Sequence, residues 1–228
     1  MAGASKSEKR TLYYLIGSIA AACFISLALL TGRIIFTGSL RYIFLVWNLV
    51  LAVTPLLLAW WLYDRLKTES WFKWPQILLT AAYIGFLPNT FYLITDFVHL
   101  EQFNEASLYF DVILLSGFVF NGTVLGFVSI YLLHRQLLRR VSERTSLYAI
   151  GIIFLLASFA AYLGRFTRFN TWDIVLRPAG LLFDVSDRFV NPTQHADTYI
   201  STVSLFFVLF SSYMVAYFSI KFVSGNKT

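Results

Sequence analysis

Chemically reactive side chains are scarce in this chain, which has one cysteine and three histidines among 228 residues. A lone thiol, Cys23, cannot close an intramolecular disulfide, and a cysteine-rich metal site is excluded with it. Cys23 lies inside an apolar run and reads as a small buried hydrophobe. No glycine-rich dinucleotide turn, P-loop, zinc-protease motif or nucleophile elbow occurs anywhere. Charge is short as well: 13% of residues are charged and 58% hydrophobic, against roughly 25% charged in soluble domains. That balance excludes an ordinary soluble domain and identifies an integral membrane protein.

What the chain has instead is six long apolar runs, over residues 12–31, 40–62, 74–96, 108–133, 146–163 and 198–223. Each is long enough to cross a bilayer as a helix, and none alternates as a barrel strand does. The expected fold is therefore all-α, a single six-helix transmembrane domain over residues 1–228. The basic start at Lys6, Lys9 and Arg10 and the Ala20-Ala21-Ala22-Cys23 sequence resemble a cleaved lipoprotein signal. The run continues past Cys23 to a full span, so it reads as an uncleaved helix. Lys and Arg in alternate loops and tails number 12 and 6, which predicts cytoplasmic termini by the positive-inside bias. The net charge of +6 follows from this topology and gives no case for nucleic acid.

The third span departs from plain apolar text. Leu87-Pro88-Asn89-Thr90-Phe91-Tyr92 is followed by Thr95-Asp96 and His99-Leu100. Pro88 removes a backbone donor and predicts a kink or break near residues 85–88. Asn89, Tyr92, Asp96 and His99 are spaced to share one helical face, which lipid would not solvate. Each has a structural alternative: Asn89 as a helix cap, Tyr92 as an interfacial aromatic, Asp96 as a paired charge, His99 as a solvated loop residue.

A second polar segment, Gly164-Arg165-Phe166-Thr167-Arg168-Phe169-Asn170-Thr171-Trp172-Asp173, falls on the same predicted outer face. Asn170 resembles an N-cap of a short helix ending at Pro178, and residues 179–190 read as an amphipathic interfacial helix. Gly122 and Gly126 in the fourth span, with Ala157, Ala160, Ala161 and Gly164 in the fifth, predict close antiparallel packing of those two helices. Asp111 lies at the height of Arg165, so an ion pair of Asp111 with Arg165 or Arg168 is expected.

With these residues in view the chain resembles an uncharacterised family of bacterial multi-span membrane proteins, domain of unknown function 1361. The likeness rests on Phe86-Leu87-Pro88-Asn89, Tyr92, Thr95-Asp96 and His99-Leu100, and on Gly164-Arg165-Phe166, Arg168, Asn170 and Trp172-Asp173. It covers most of the chain from the second span onward. The family often has Ala-Pro where this chain has Thr90-Phe91, so a second proline kink is missing here. The resemblance implies a multi-pass protein of a bacterial inner membrane and names no reaction and no cofactor.

Three functions compete. In an outer-face enzyme or binding site, Asp96, His99 and Asp111 would be the candidate acid, base or metal-ligand groups. Asn89, Tyr92, Arg165, Arg168, Asn170, Trp172 and Asp173 would then grip an anionic small molecule or lipid head group. A divalent metal on Asp96, His99, Asp111 or Asp173, with His195, has no diagnostic spacing, and no Ser or Cys is visibly partnered to a base. A transporter draws on the Pro88 break, but no internal repeat supports it, and the deep polar residues Asn48, Thr54, Asn121 and Ser129 are uncharged. A structural protein would use both motifs purely as a polar lock.

Overall fold

The computed structural model describes residues 6–100, 108–167 and 176–225, with the backbone alone for 6–9. Among the described residues all regular structure is helical. The helices are α1 (Lys6–Thr37), α2 (Phe44–Arg65), α3 (Trp74–Phe86), α4 (Pro88–Tyr92), α5 (Leu108–Leu138), α6 (Glu143–Phe166), α7 (Pro178–Val190) and α8 (Ala196–Gly225). A 3-10 segment, Leu93–His99, continues α4. Counting Trp74–His99 as one span, six helical spans are long and apolar enough to cross a membrane. The protein is an all-α, multi-pass membrane protein.

Two spans extend well past their expected ends. The first reaches Thr37 and the fourth Leu138, because Arg33 and His134, which look like span boundaries by hydropathy, are buried and partnered inside the bundle. Gly38, at φ 66°, then ends α1 by turning left-handed while its N–H meets the Ile34 carbonyl at 2.8 Å. At the start of α6, Ser142 is the N-cap and accepts from the Thr145 backbone N–H at 3.2 Å.

Helix α5 is the centrepiece, packing on α1, α2 and α4, while α6 packs on α4 and α8. Lipid is as apolar as the helix faces, so association depends on close packing and interhelical polar contacts more than on burial from water. The small residues carry that packing, though with a different partner from the one expected. Helices α5 and α6 are joined by a short turn as predicted, but Gly122 and Gly126 receive α4. A Cβ at Gly122 would collide with the Thr90 carbonyl and come within 2.6 Å of Leu93 Cδ1. One at Gly126 would lie 2.7 Å from Phe91 and Thr90 side-chain atoms. The proline-broken span takes the place the GxxxG surface had been expected to offer to α6.

Candidate functional site

The break itself is economical in its polar groups. Without a Pro88 N–H the helix cannot continue its regular ladder, and two neighbouring side chains turn back to serve carbonyls. Asn89 Nδ2 donates to Phe86 O at 2.8 Å, and Thr90 Oγ1 donates to Leu87 O at 2.8 Å. No side chain caps α4, so Asn89 is not the N-cap the sequence suggested. Beyond Tyr92 the chain tightens to 3-10 form, in which residues three apart eclipse. That change of period brings Asp96 and His99 into line.

Both meet Arg165, one residue from the end of α6. Its Nη2 is ion-paired with Asp96 Oδ1, its Nε donates to Thr95 Oγ1 at 2.8 Å, and its Nη1 donates to His99 Nε2 at 2.7 Å. A guanidinium can only donate, so His99 accepts through Nε2 as a neutral ring. The guanidinium carbon also lies 4.4 Å from the centre of the Tyr92 ring, a cation–π contact. Asp96 Oδ2 accepts from Asn48 Nδ2 of α2 at 3.0 Å. One carboxylate and one guanidinium thus tie together α2, the third span and α6.

Beside this cluster lies a cavity of about 240 Å³. Trp47, Asn48 and Leu51 of α2 form one wall, and Pro88, Asn89 and Tyr92 another. Ala160, Ala161 and Gly164 of α6 leave room that larger side chains would fill, and Leu181 and Val185 of α7 close a further side. Among the described residues none that lines it is charged. Asn48 belongs to both structures: one amide N–H goes to Asp96, while its remaining N–H and its oxygen make no hydrogen bond among the described residues. Helix α7 is anchored at its far end by Asp187, which accepts from Asn191 Nδ2 at 2.7 Å and pairs with His195 Nε2 at 2.8 Å. Those contacts hold the Asp187 carboxyl below its ordinary range. His195 is therefore engaged at α7.

The expected partner of Asp111 is corrected. Arg33 of α1 grips it, Nε to Oδ1 at 2.7 Å and Nη2 to Oδ2 at 3.2 Å. Arg165 is committed to Asp96, and Arg168, Asn170, Trp172 and Asp173 lie outside the described residues. Tyr42 links the two pairs: its ring centre lies 4.5 Å from the Arg33 guanidinium and its hydroxyl donates to the His99 carbonyl at 3.2 Å. Among the described residues no three His, Cys, Asp or Glu side chains converge as a metal site.

Sequence reading missed the roles of Thr95, Trp47 and Asn48, although Thr95 lies in the quoted motif and Asn48 stands out as an amide in an apolar span. It also missed His134 at the opposite end of the bundle. That ring is fully buried between Tyr213 Oη at 2.9 Å and Ser146 Oγ at 3.1 Å. Ser146 gives its own hydrogen to the Glu143 carbonyl at 2.7 Å. His134 therefore donates from Nε2 to Ser146, and both of its ring nitrogens have partners.

No curated protein and no solved structure matches the chain. The model of one family, described as protein of unknown function (DUF1361), matches residues 47–215, a stretch that holds the whole Arg165 cluster and every residue lining the cavity. The chain belongs to the DUF1361 family of membrane proteins.

Proposed function

We propose that this protein binds the polar end of a membrane lipid in the cavity beside Pro88, and that the Asp96–Arg165 cluster is the lock that holds the cavity walls in register. The observation that carries this reading is Asn48. It spends one N–H on the lock and has the rest of its amide unbonded beside the cavity, where a bound polar group would satisfy it. Site and lock are then adjacent parts of one device.

The same geometry argues against acid–base chemistry at the cluster. Asp96 and His99 both already accept from Arg165, so neither is poised to take a proton from a bound molecule. Arg165 is spent on three polar partners and a ring face, which leaves little of it for an external anion. The bias in Lys and Arg counts assigns this end of the bundle to the non-cytoplasmic side in our reading.

Replacing Ala160 by Phe puts a ring into existing space, so it tests the cavity without touching the lock. Lipid extracted from protein purified in mild detergent should be bound in fixed proportion to wild type and largely lost from Ala160→Phe, at unchanged elution and melting temperature. Equal lipid content in the two proteins would end the reading.

A further inference from the structure

We infer that the occupant is a neutral glycerolipid, with its uncharged ester and hydroxyl region inside the cavity and its chains left in the bilayer. This inference rests on the lipid-binding reading above and adds the chemical class.

Depth comes first. Asn48 is the fifth residue of α2 and Gly164 is two residues from the end of α6, so at 1.5 Å per residue the polar wall lies only about 3–6 Å inside the helix ends. A lipid presents its ester linkages close to that interface, between its charged or polar head and its chains. Size agrees with partial uptake. At about 240 Å³ the cavity is smaller than the roughly 300–1,000 Å³ of sites that enclose a whole drug-sized ligand. Only a segment of a lipid fits.

Charge decides which segment. With no cation among the described lining residues and Arg165 already neutralised by Asp96, the described walls offer nothing to offset the desolvation of a phosphate. Uncharged hydrogen-bonding groups do find partners. Asn48 has an N–H for an ester carbonyl and an oxygen for a hydroxyl. Pro55, inside α2, also deprives the Leu51 carbonyl of its regular helical donor, and Leu51 is one of the residues on the cavity wall.

The rim is continuous with the surface that lipid chains cover. Trp47 is 56% exposed, with Val46 and Val50 also exposed beside it, and on α7 Leu182 and Phe183 are exposed next to Leu181. An occupant seated by its glycerol region can therefore keep its chains among those of the bilayer.

The test uses two probes with the same chains that differ only in the phosphate. Delipidated full-length protein is offered equal amounts of dioleoylglycerol and dioleoylphosphatidate in detergent, and bound lipid is counted by native mass spectrometry for wild type and Ala160→Phe. The expected result is that wild type retains dioleoylglycerol at least about tenfold over dioleoylphosphatidate and that Ala160→Phe removes this retention. Retention of dioleoylphosphatidate as well as or better than dioleoylglycerol, still abolished by Ala160→Phe, would overturn the neutral class and leave the lipid pocket standing. Binding of both lipids that ignores Ala160→Phe, or no binding at all, overturns the pocket and the class together. Asn48→Leu removes the amide that reads the ester and, with it, the N–H given to Asp96. It should lower dioleoylglycerol retention several-fold, and unchanged retention would count against the hydrogen-bonding seat.

Discussion

Two arginine–aspartate pairs sit at the same end of this bundle and are built for different ends. Arg33 and Asp111 meet fork to fork across α1 and α5, with side chains 2% and 7% exposed. The second pair is shared out: Asp96 also holds Asn48, and Arg165 also holds Thr95, His99 and the Tyr92 ring. The first arrangement meets its carboxylate through both oxygens and rivets one helix to another. The second spreads one neutralised charge over three elements, and the cavity lies at its edge. Its residues all fall within the family-matched segment, whereas Arg33 lies outside it. A bidentate pair gives strength between two elements, and a distributed one gives shape to several.

The sharpest way to break the comparison is at the rivet. Arg33→Met leaves Asp111 buried without its cation, and removal of one partner of a buried pair costs about 3–5 kcal/mol. The double replacement Arg33→Met with Asp111→Leu should recover most of that, because a matched apolar pair replaces a matched ionic one. Thermal unfolding followed by size exclusion reads both. Failure of the double variant to recover would mean that the pair does more than join α1 to α5.

The two pairs were not equally legible from sequence. The face carrying Tyr92, Asp96 and His99 could be read from spacing, because the third span and the Gly164–Arg165 motif both interrupt apolar text. The Asp111 partner could not. Helical height along the bundle narrows candidates to one end but not to one helix, and Arg33 had been counted as a loop charge. A neutralised charge lets a helix run on past the point where hydropathy says it stops, which also hid His134. The GxxxG in α5 was recognised as a packing surface, yet its partner depends on how far the Pro88 break lets α4 enter the bundle. The cavity was out of reach for the same reason: its walls come from five elements whose placement is tertiary. Its one visible sign was Asn48.

A smaller effect tests whether α4 must sit where the distributed pair needs it. At Gly122 a methyl group meets the Thr90 backbone, which cannot move aside as a side-chain tip can. Gly122→Ala should therefore cost about 2–3 kcal/mol and reduce lipid retention with it, since α4 carries one cavity wall. Gly151→Ala is the control, because its added carbon would find only the Phe210 ring at 3.7 Å, an ordinary contact. It should be neutral or slightly stabilising, as alanine is the better helix former. Melting temperatures of the two variants would separate close packing from a general intolerance of larger residues.

The smallest expected change is also the one that best divides lock from site. Arg165→Lys keeps a positive charge for Asp96, but a single ammonium cannot reach Asp96, Thr95 and His99 together or lie flat on Tyr92. Losing about two hydrogen bonds predicts a cost of about 1–2 kcal/mol, below that of Arg33→Met because no charge is stranded. If the cluster is a lock, lipid retention should fall only as far as stability does, and conditions that restabilise the variant should restore it. A variant that melts like wild type yet no longer retains lipid would move Arg165 from the frame of the cavity into the binding site, and the distributed pair would then have to be read as a ligand grip held closed by Asp96.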